Sequence, residues 1–214
     1  MLLLDTDMLV LLVASKTLEI VVRRLGYTQS AVRRLPAAIH QIRKSTSFRN
    51  TYGEAVLQRI APLIEGVPEA PAPRDRKLLD NLNDVVDVGE AMLMALAVED
   101  KCTLLASGDK RAIIDLAGSE FAGDCVEKLQ GRIVCLEAVL LILVTEYNAQ
   151  EVRAAFSPVI SYKTLKILLS EHAVADEDRC LSGIRSYYND IAKTTRGLLF
   201  DPSPDCLKLD DGSQ

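Results

Sequence analysis

Tryptophan is absent from this 214-residue sequence, and four phenylalanines and six tyrosines are its only other large aromatics. With 49% hydrophobic residues and only 5% aromatic, the core must be built from aliphatic side chains. Histidine occurs twice, at His40 and His172, and neither has a partner at metal or triad spacing. The five cysteines stand at 102, 125, 135, 180 and 206, with no C-x-x-C pair. An odd, unpatterned set excludes a zinc knuckle and a disulfide framework, and suits reduced thiols in a cytoplasm. No glycine-rich phosphate loop and no nucleophile elbow occurs, so the P-loop NTPase and α/β-hydrolase classes fall away. Apolar runs such as 138–144 are far short of the roughly 20 residues that cross a bilayer, so no membrane association is expected. The first residues are apolar but carry Asp5 and Asp7 and no basic region, unlike a signal peptide. The net charge of −5 argues against a wholly basic nucleic-acid coat.

The stretch 87–114, DVGEAMLMALAVEDKCTLLASGDKRAII, is the most informative. Its first part is apolar nearly all round from Ala91 to Val98, which predicts a buried helix. Asp87 and Glu90 open that helix. The run 102–106 is short, apolar and bounded by turn residues, as in a strand covered on both faces. Asp109 then falls just past the strand's carboxyl end, where open α/β sheets bind ligands. The N-terminus repeats the pattern, with an apolar strand running into Asp5, Thr6 and Asp7.

Two buried parallel strands would deliver Asp5 and Asp109 to one sheet edge. The helix would add Glu90, with Asp87 one turn earlier on the same face. Each aspartate taken alone suits a helix N-cap. Three acids at converging element ends need a shared explanation, because clustered carboxylates repel and resist desolvation. A hard divalent cation such as Mg²⁺ or Mn²⁺ supplies one. Asp87 is either a fourth site acid or a helix cap. Asp7 either joins the site or bonds to its own turn. Lys110 either offsets the acids, holds a phosphate or is simply solvated.

At LLLDTDMLV (2–10), DVGEAMLMALA (87–97) and LLASGDKRAI (104–113) the chain resembles the PIN-domain family of metal-dependent nucleases. That resemblance implies Asp5, Glu90 and Asp109 as catalytic metal ligands and Ser107 as the hydroxyl of the Ser-x-Asp turn. It further implies phosphodiester hydrolysis, RNA as substrate, and a kinship with toxins of toxin–antitoxin pairs. An antitoxin or other protein partner and a homodimer would follow. The family carries another acid on a helix between the first strand and the central helix. Here residues 17–65 offer Glu19, Glu54 and Glu65, none in a matching context. The alternative function is therefore a catalytically degenerate module that scaffolds RNA or protein.

The predicted architecture is α/β, a parallel sheet flanked by helices in three layers over residues 1–144. A helical C-terminal extension over 145–200 and a loose terminus over 201–214 would follow. Expected strands are the N-terminal run, 102–106 and 132–136. Residues 30–44 read as a helical region divided at Pro36, and 51–64 as one helix. Leu165, Ile167, Leu168 and Leu169 are expected to be buried. From residue 20 to 53 the chain carries Arg23, Arg24, Arg33, Arg34, Arg43, Lys44 and Arg49 and no acid. That excess reads equally as a phosphate-contacting surface or as a solvated or acid-paired face.

Overall fold

The computed structural model describes residues 1–120 and 123–203; the expected loose terminus from 204 onward, with Cys206, lies outside them. The chain opens with β1 (Leu2–Leu4), α1 (Thr6–Ala14), α2 (Leu18–Arg24) and β2 (Val32–Arg34). Next come α3 (Ala38–Lys44), α4 (Thr46–Tyr52), α5 (Glu54–Glu65), α6 (Arg76–Asn83) and α7 (Val88–Glu99). The central part continues through β3 (Leu104–Ser107), α8 (Lys110–Gly118), α9 (Gly123–Lys128), β4 (Ile133–Cys135) and α10 (Leu136–Glu146). The remaining helices are α11 (Ala149–Ala155), α12 (Lys163–Leu168), α13 (Glu171–Val174) and α14 (Glu177–Thr194).

The four strands form one all-parallel sheet in the order β2-β1-β3-β4. Helices flank it, so the expected α/β class with a helical C-terminal part is what the chain adopts. Leu2, Leu3 and Leu4 are fully buried, as a strand covered on both faces requires. The helices against the sheet are apolar nearly all round for the same reason. Met8 to Leu12 of α1 and Ala138 to Val144 of α10 are all buried. No helix of the described residues is long and apolar enough to cross a membrane.

Three local expectations need correction. Residues 32–34 form β2, not helix; two arginines mask the strand pattern because β2 is an edge strand, where charge is tolerated. Arg34 lies across that edge, donating to Val67 O (2.9 Å) and Leu35 O (3.2 Å) and pairing with Glu69 (3.1 Å). The single helix expected over 51–64 is two, α4 and α5. Gly53 between them adopts φ +81°, which a residue with a Cβ takes up only with strain. Ile167 is 46% exposed, although Leu165, Leu168 and Leu169 are buried as expected.

The C-terminal helices close onto the sheet. α14 packs along α10 and α8. Residues 197–200 then run beside β4, with Ile133 N donating to Leu198 O (3.0 Å) and Phe200 N to Ile133 O (2.8 Å). This covers backbone groups that β4 would otherwise present at the edge.

Candidate functional site

Reading outward from β1, the chain continues to β2 on one side and reaches β3 only later on the other. The strand order therefore reverses between β1 and β3, and a crevice opens at their carboxyl ends. Asp5 sits there, 7% exposed. One of its oxygens accepts from Met8 N (2.5 Å) and caps α1. The other accepts from Ser107 Oγ (2.6 Å) and Gly108 N (2.7 Å), across 102 residues of sequence. Burial pushes its pKa up to about 6; the Ser107 hydrogen bond opposes this and the Asp7 charge adds to it.

Asp109 follows one turn beyond β3. Its N–H donates to Ser107 Oγ (3.1 Å), and its carboxylate caps α8 by accepting from Arg111 N (2.8 Å) and Ala112 N (3.2 Å). Asp87 caps α7 in the same way, through Gly89 N (2.8 Å) and Glu90 N (3.0 Å). Glu90 hydrogen-bonds to the Asp87 carboxylate. Burial first, then the Asp87 bond and charge, with Asp109 and Asp5 behind them, raise Glu90 to about 9. The same bond lowers Asp87. Glu90 thus keeps its proton at neutral pH and shares it with Asp87.

All five carboxyl side chains, those of Asp5, Asp7, Asp87, Glu90 and Asp109, line one cleft of about 180 Å³. Among the described residues, no lysine or arginine lines it. Among the described residues, no three acids stand close enough to hold a single ion as they are placed. The cause is visible: Asp5, Asp87 and Asp109 are each turned onto backbone N–H groups at a helix start. There the helix dipole offers partial positive charge. The donor set is nonetheless all oxygen, acidic and crowded, which is the chemistry that suits a hard divalent cation.

Three residues at or beside the cleft were not singled out by sequence. Gln41 of α3 lines it and accepts from Thr6 Oγ1 (2.6 Å). Tyr52, 3% exposed at the end of α4, donates to Asp7 Oδ1 (2.5 Å). Burial leads the upward shift at Asp7, which this hydrogen bond opposes. Tyr162, just before α12, stacks on Tyr52. These contacts span up to 110 residues of sequence and leave no periodic trace in it.

Lys110 is not part of the cleft lining. Its Nζ lies 2.5 Å from the fully buried Glu137 and over the Tyr187 ring, 5.2 Å from the centroid. Five arginines of the basic segment, Arg34 among them, are likewise engaged elsewhere. Arg24 pairs with Glu146, Arg43 with Glu65 (2.8 Å) and Arg49 with Glu54 (3.2 Å). Arg33 donates to Ser30 O (2.6 Å) and Val32 O (2.8 Å), and Lys44 is exposed.

Fold and cleft together define an α/β protein with an acidic crevice at the switch point of a parallel sheet. No family model, curated protein or solved structure matches the chain.

Proposed function

We propose that the cleft is the active site of a Mg²⁺- or Mn²⁺-dependent nuclease that hydrolyses phosphodiester bonds of RNA. The observation that carries this reading is the convergence of five carboxyl groups at the switch point with, among the described residues, no basic side chain in the lining. RNA as substrate rests on the resemblance of the three acid-bearing stretches to PIN-domain nucleases. So do an antitoxin-like protein partner and a homodimer, whereas a cytoplasmic setting rests on the unpatterned cysteines.

Asp5, Glu90 and Asp109 would hold the ion, with Asp87 beside them. The chemistry such an ion supplies is a dense positive charge that acidifies water and offsets charge on the phosphate. The chain's own residues prepare the place. Ser107 and Gly108 N hold Asp5 rigidly between the two strand ends. Tyr52 holds Asp7 from the other side. Glu90 would hold such an ion only without the proton that burial keeps on it, so affinity for the ion would rise with pH up to about 9.

Labelled single-stranded RNA incubated with the purified protein tests this. Cleavage is expected with Mn²⁺, none with EDTA, and none from a protein carrying Glu90→Gln and Asp109→Asn together. Cleavage that survives both substitutions assigns the activity to another site or to a contaminant.

A second reading has one observation behind it. α3, one of the helices between the first strand and the central helix, brings Gln41, an uncharged amide, into the cleft. An acid is what the family resemblance leads one to expect on such a helix. If the module is a degenerate scaffold, Gln41→Glu should create Mn²⁺-dependent cleavage where wild type has none. An active wild type removes that reading directly.

A further inference from the structure

Glu137 stands in the first turn of α10, just past the carboxyl end of β4, and is 0% exposed. Asp5, Asp87 and Asp109 meet backbone N–H groups at their helix starts. Among the described residues, no amide or hydroxyl donates to either Glu137 oxygen. The neighbouring Cys135 shows how dry the place is: burial first, then the Glu137 charge, push that thiol up to about 12. What meets the Glu137 charge is Lys110 Nζ, 2.5 Å from Oε1. The same ammonium lies over the Tyr187 ring of α14, 5.2 Å from its centroid. Three helices, α8, α10 and α14, therefore meet at one amine. Stability alone does not account for such a pair, because apolar side chains of similar volume often hold a core as well or better. Its place in the chain does. Lys110 is the first residue of α8, and Asp109 before it is the cap. The turn from β3 into α8 is thus gripped twice. In the cleft, Asp5 accepts from Ser107 Oγ and Gly108 N; outside the cleft lining, Glu137 holds Lys110.

We propose that Lys110 and Glu137 are positioning residues for Asp109: their buried ion pair fixes the start of α8 and so sets where the Asp109 carboxylate stands relative to Asp5. Neither residue lines the cleft, and both act through the turn that carries Asp109. Lys110 then neither offsets the cleft's acids nor meets a phosphate, the two roles that its place after Asp109 suggests. Through Tyr187 the arrangement reaches α14, so the helical C-terminal part bears on the cleft without entering it. The positioning of Asp109 stands without an ion; its effect on ion affinity rests on the reading of the cleft as a cation site.

Amide hydrogen exchange on the full chain in EDTA tests the proposal at Arg111 and Ala112, whose N–H groups donate to Asp109. Lys110→Met with Glu137→Met replaces the pair by apolar side chains of similar volume, so the protein should melt near wild type. Exchange at those two amides should rise about fivefold, as a weakened cap implies, while the amides of α7 exchange as in wild type. Glu137→Gln, which keeps the shape and removes the charge, should move the same two amides in the same direction. Wild-type exchange at Arg111 and Ala112 in both variants overturns the positioning role. Equal acceleration at every amide overturns it too, because the pair then serves only global stability. Calorimetry adds the ion: Mn²⁺ should bind both variants about tenfold more weakly than wild type, the scale of a lost outer contact to a ligand. A wild type that binds no Mn²⁺ overturns the cation reading and leaves the exchange result to decide the pair. Local acceleration with unchanged Mn²⁺ affinity upholds the pair and removes Asp109 from the ion's ligands.

Discussion

Arg24, Arg34, Arg43 and Arg49 each face a glutamate, whereas Asp5, Asp7, Asp87, Glu90 and Asp109 share one cleft that, among the described residues, no basic side chain lines. In the sequence the order is the reverse. The arginines lie within 30 residues and read as a patch, while the acids are scattered over more than 100. Folding distributes the arginines over α2, β2, α3 and α4 and finds each a partner. It gathers the acids by bringing the carboxyl ends of β1 and β3 together with the start of α7. Charge that folding neutralises is a matter of stability. Charge that folding concentrates has a cost, which here is met in part by helix N–H groups and by a proton on Glu90.

The sharpest break of this contrast is at Asp109. Asp109→Asn removes one charge and keeps a residue that caps α8 about as well. It should lower Mn²⁺-dependent RNA cleavage by roughly a hundredfold or more, in line with the loss of a group acting only through the ion. It should also shrink the rise in melting temperature that Mn²⁺ gives wild type. Metal-free stability should change little, whereas Asp109→Ala should cost about 1 kcal/mol as a lost cap. A strongly destabilised Asn variant, or an equal gain from Mn²⁺ in both proteins, would make Asp109 a cap and nothing more.

Glu90 gives the next effect, read in pH. Its folded-state pKa of about 9 lies above the ordinary 4.5, so the native state holds a proton that the unfolded chain releases. The stability this contributes is fully present below about 4.5 and is lost as pH rises through about 9. In EDTA, wild type should therefore lose more stability between pH 5 and pH 9 than Glu90→Gln does. Urea unfolding at the two pH values measures it. Parallel losses in the two proteins would mean that Glu90 is not held protonated.

The smallest effect is expected on the arginine side. Arg43→Gln with Arg49→Gln removes two exposed ion pairs and should cost under about 1 kcal/mol. The salt dependence of RNA binding should stay as it is, because these guanidiniums already have partners. A slope flatter by roughly 0.7 per arginine would instead place them on single-stranded RNA phosphates.

Much of the fold was legible because a buried parallel strand and a buried helix are written as unbroken apolar runs. Leu2–Leu4, the helix after Asp87, the strand before Gly108 and the helix after Cys135 all follow that rule. β2 escaped it because an edge strand tolerates Arg33 and Arg34. The acids Asp5, Glu90 and Asp109 were legible from their places at element ends. The caps at Asp5, Asp87 and Asp109 were legible too, since an aspartate before a helix pattern caps it; the bond between Glu90 and Asp87 was not, because it depends on side-chain placement.

By itself, then, the sequence determined which segments are buried and which acids stand at their ends, since burial and periodicity are local properties of residue type. The tertiary structure alone decided that β2 joins β1, that Gln41, Tyr52 and Tyr162 meet the acids, and that the arginines disperse to glutamate partners. Those are contacts across tens to more than a hundred residues. They are selected by packing of the whole core and leave no mark on any one stretch of chain.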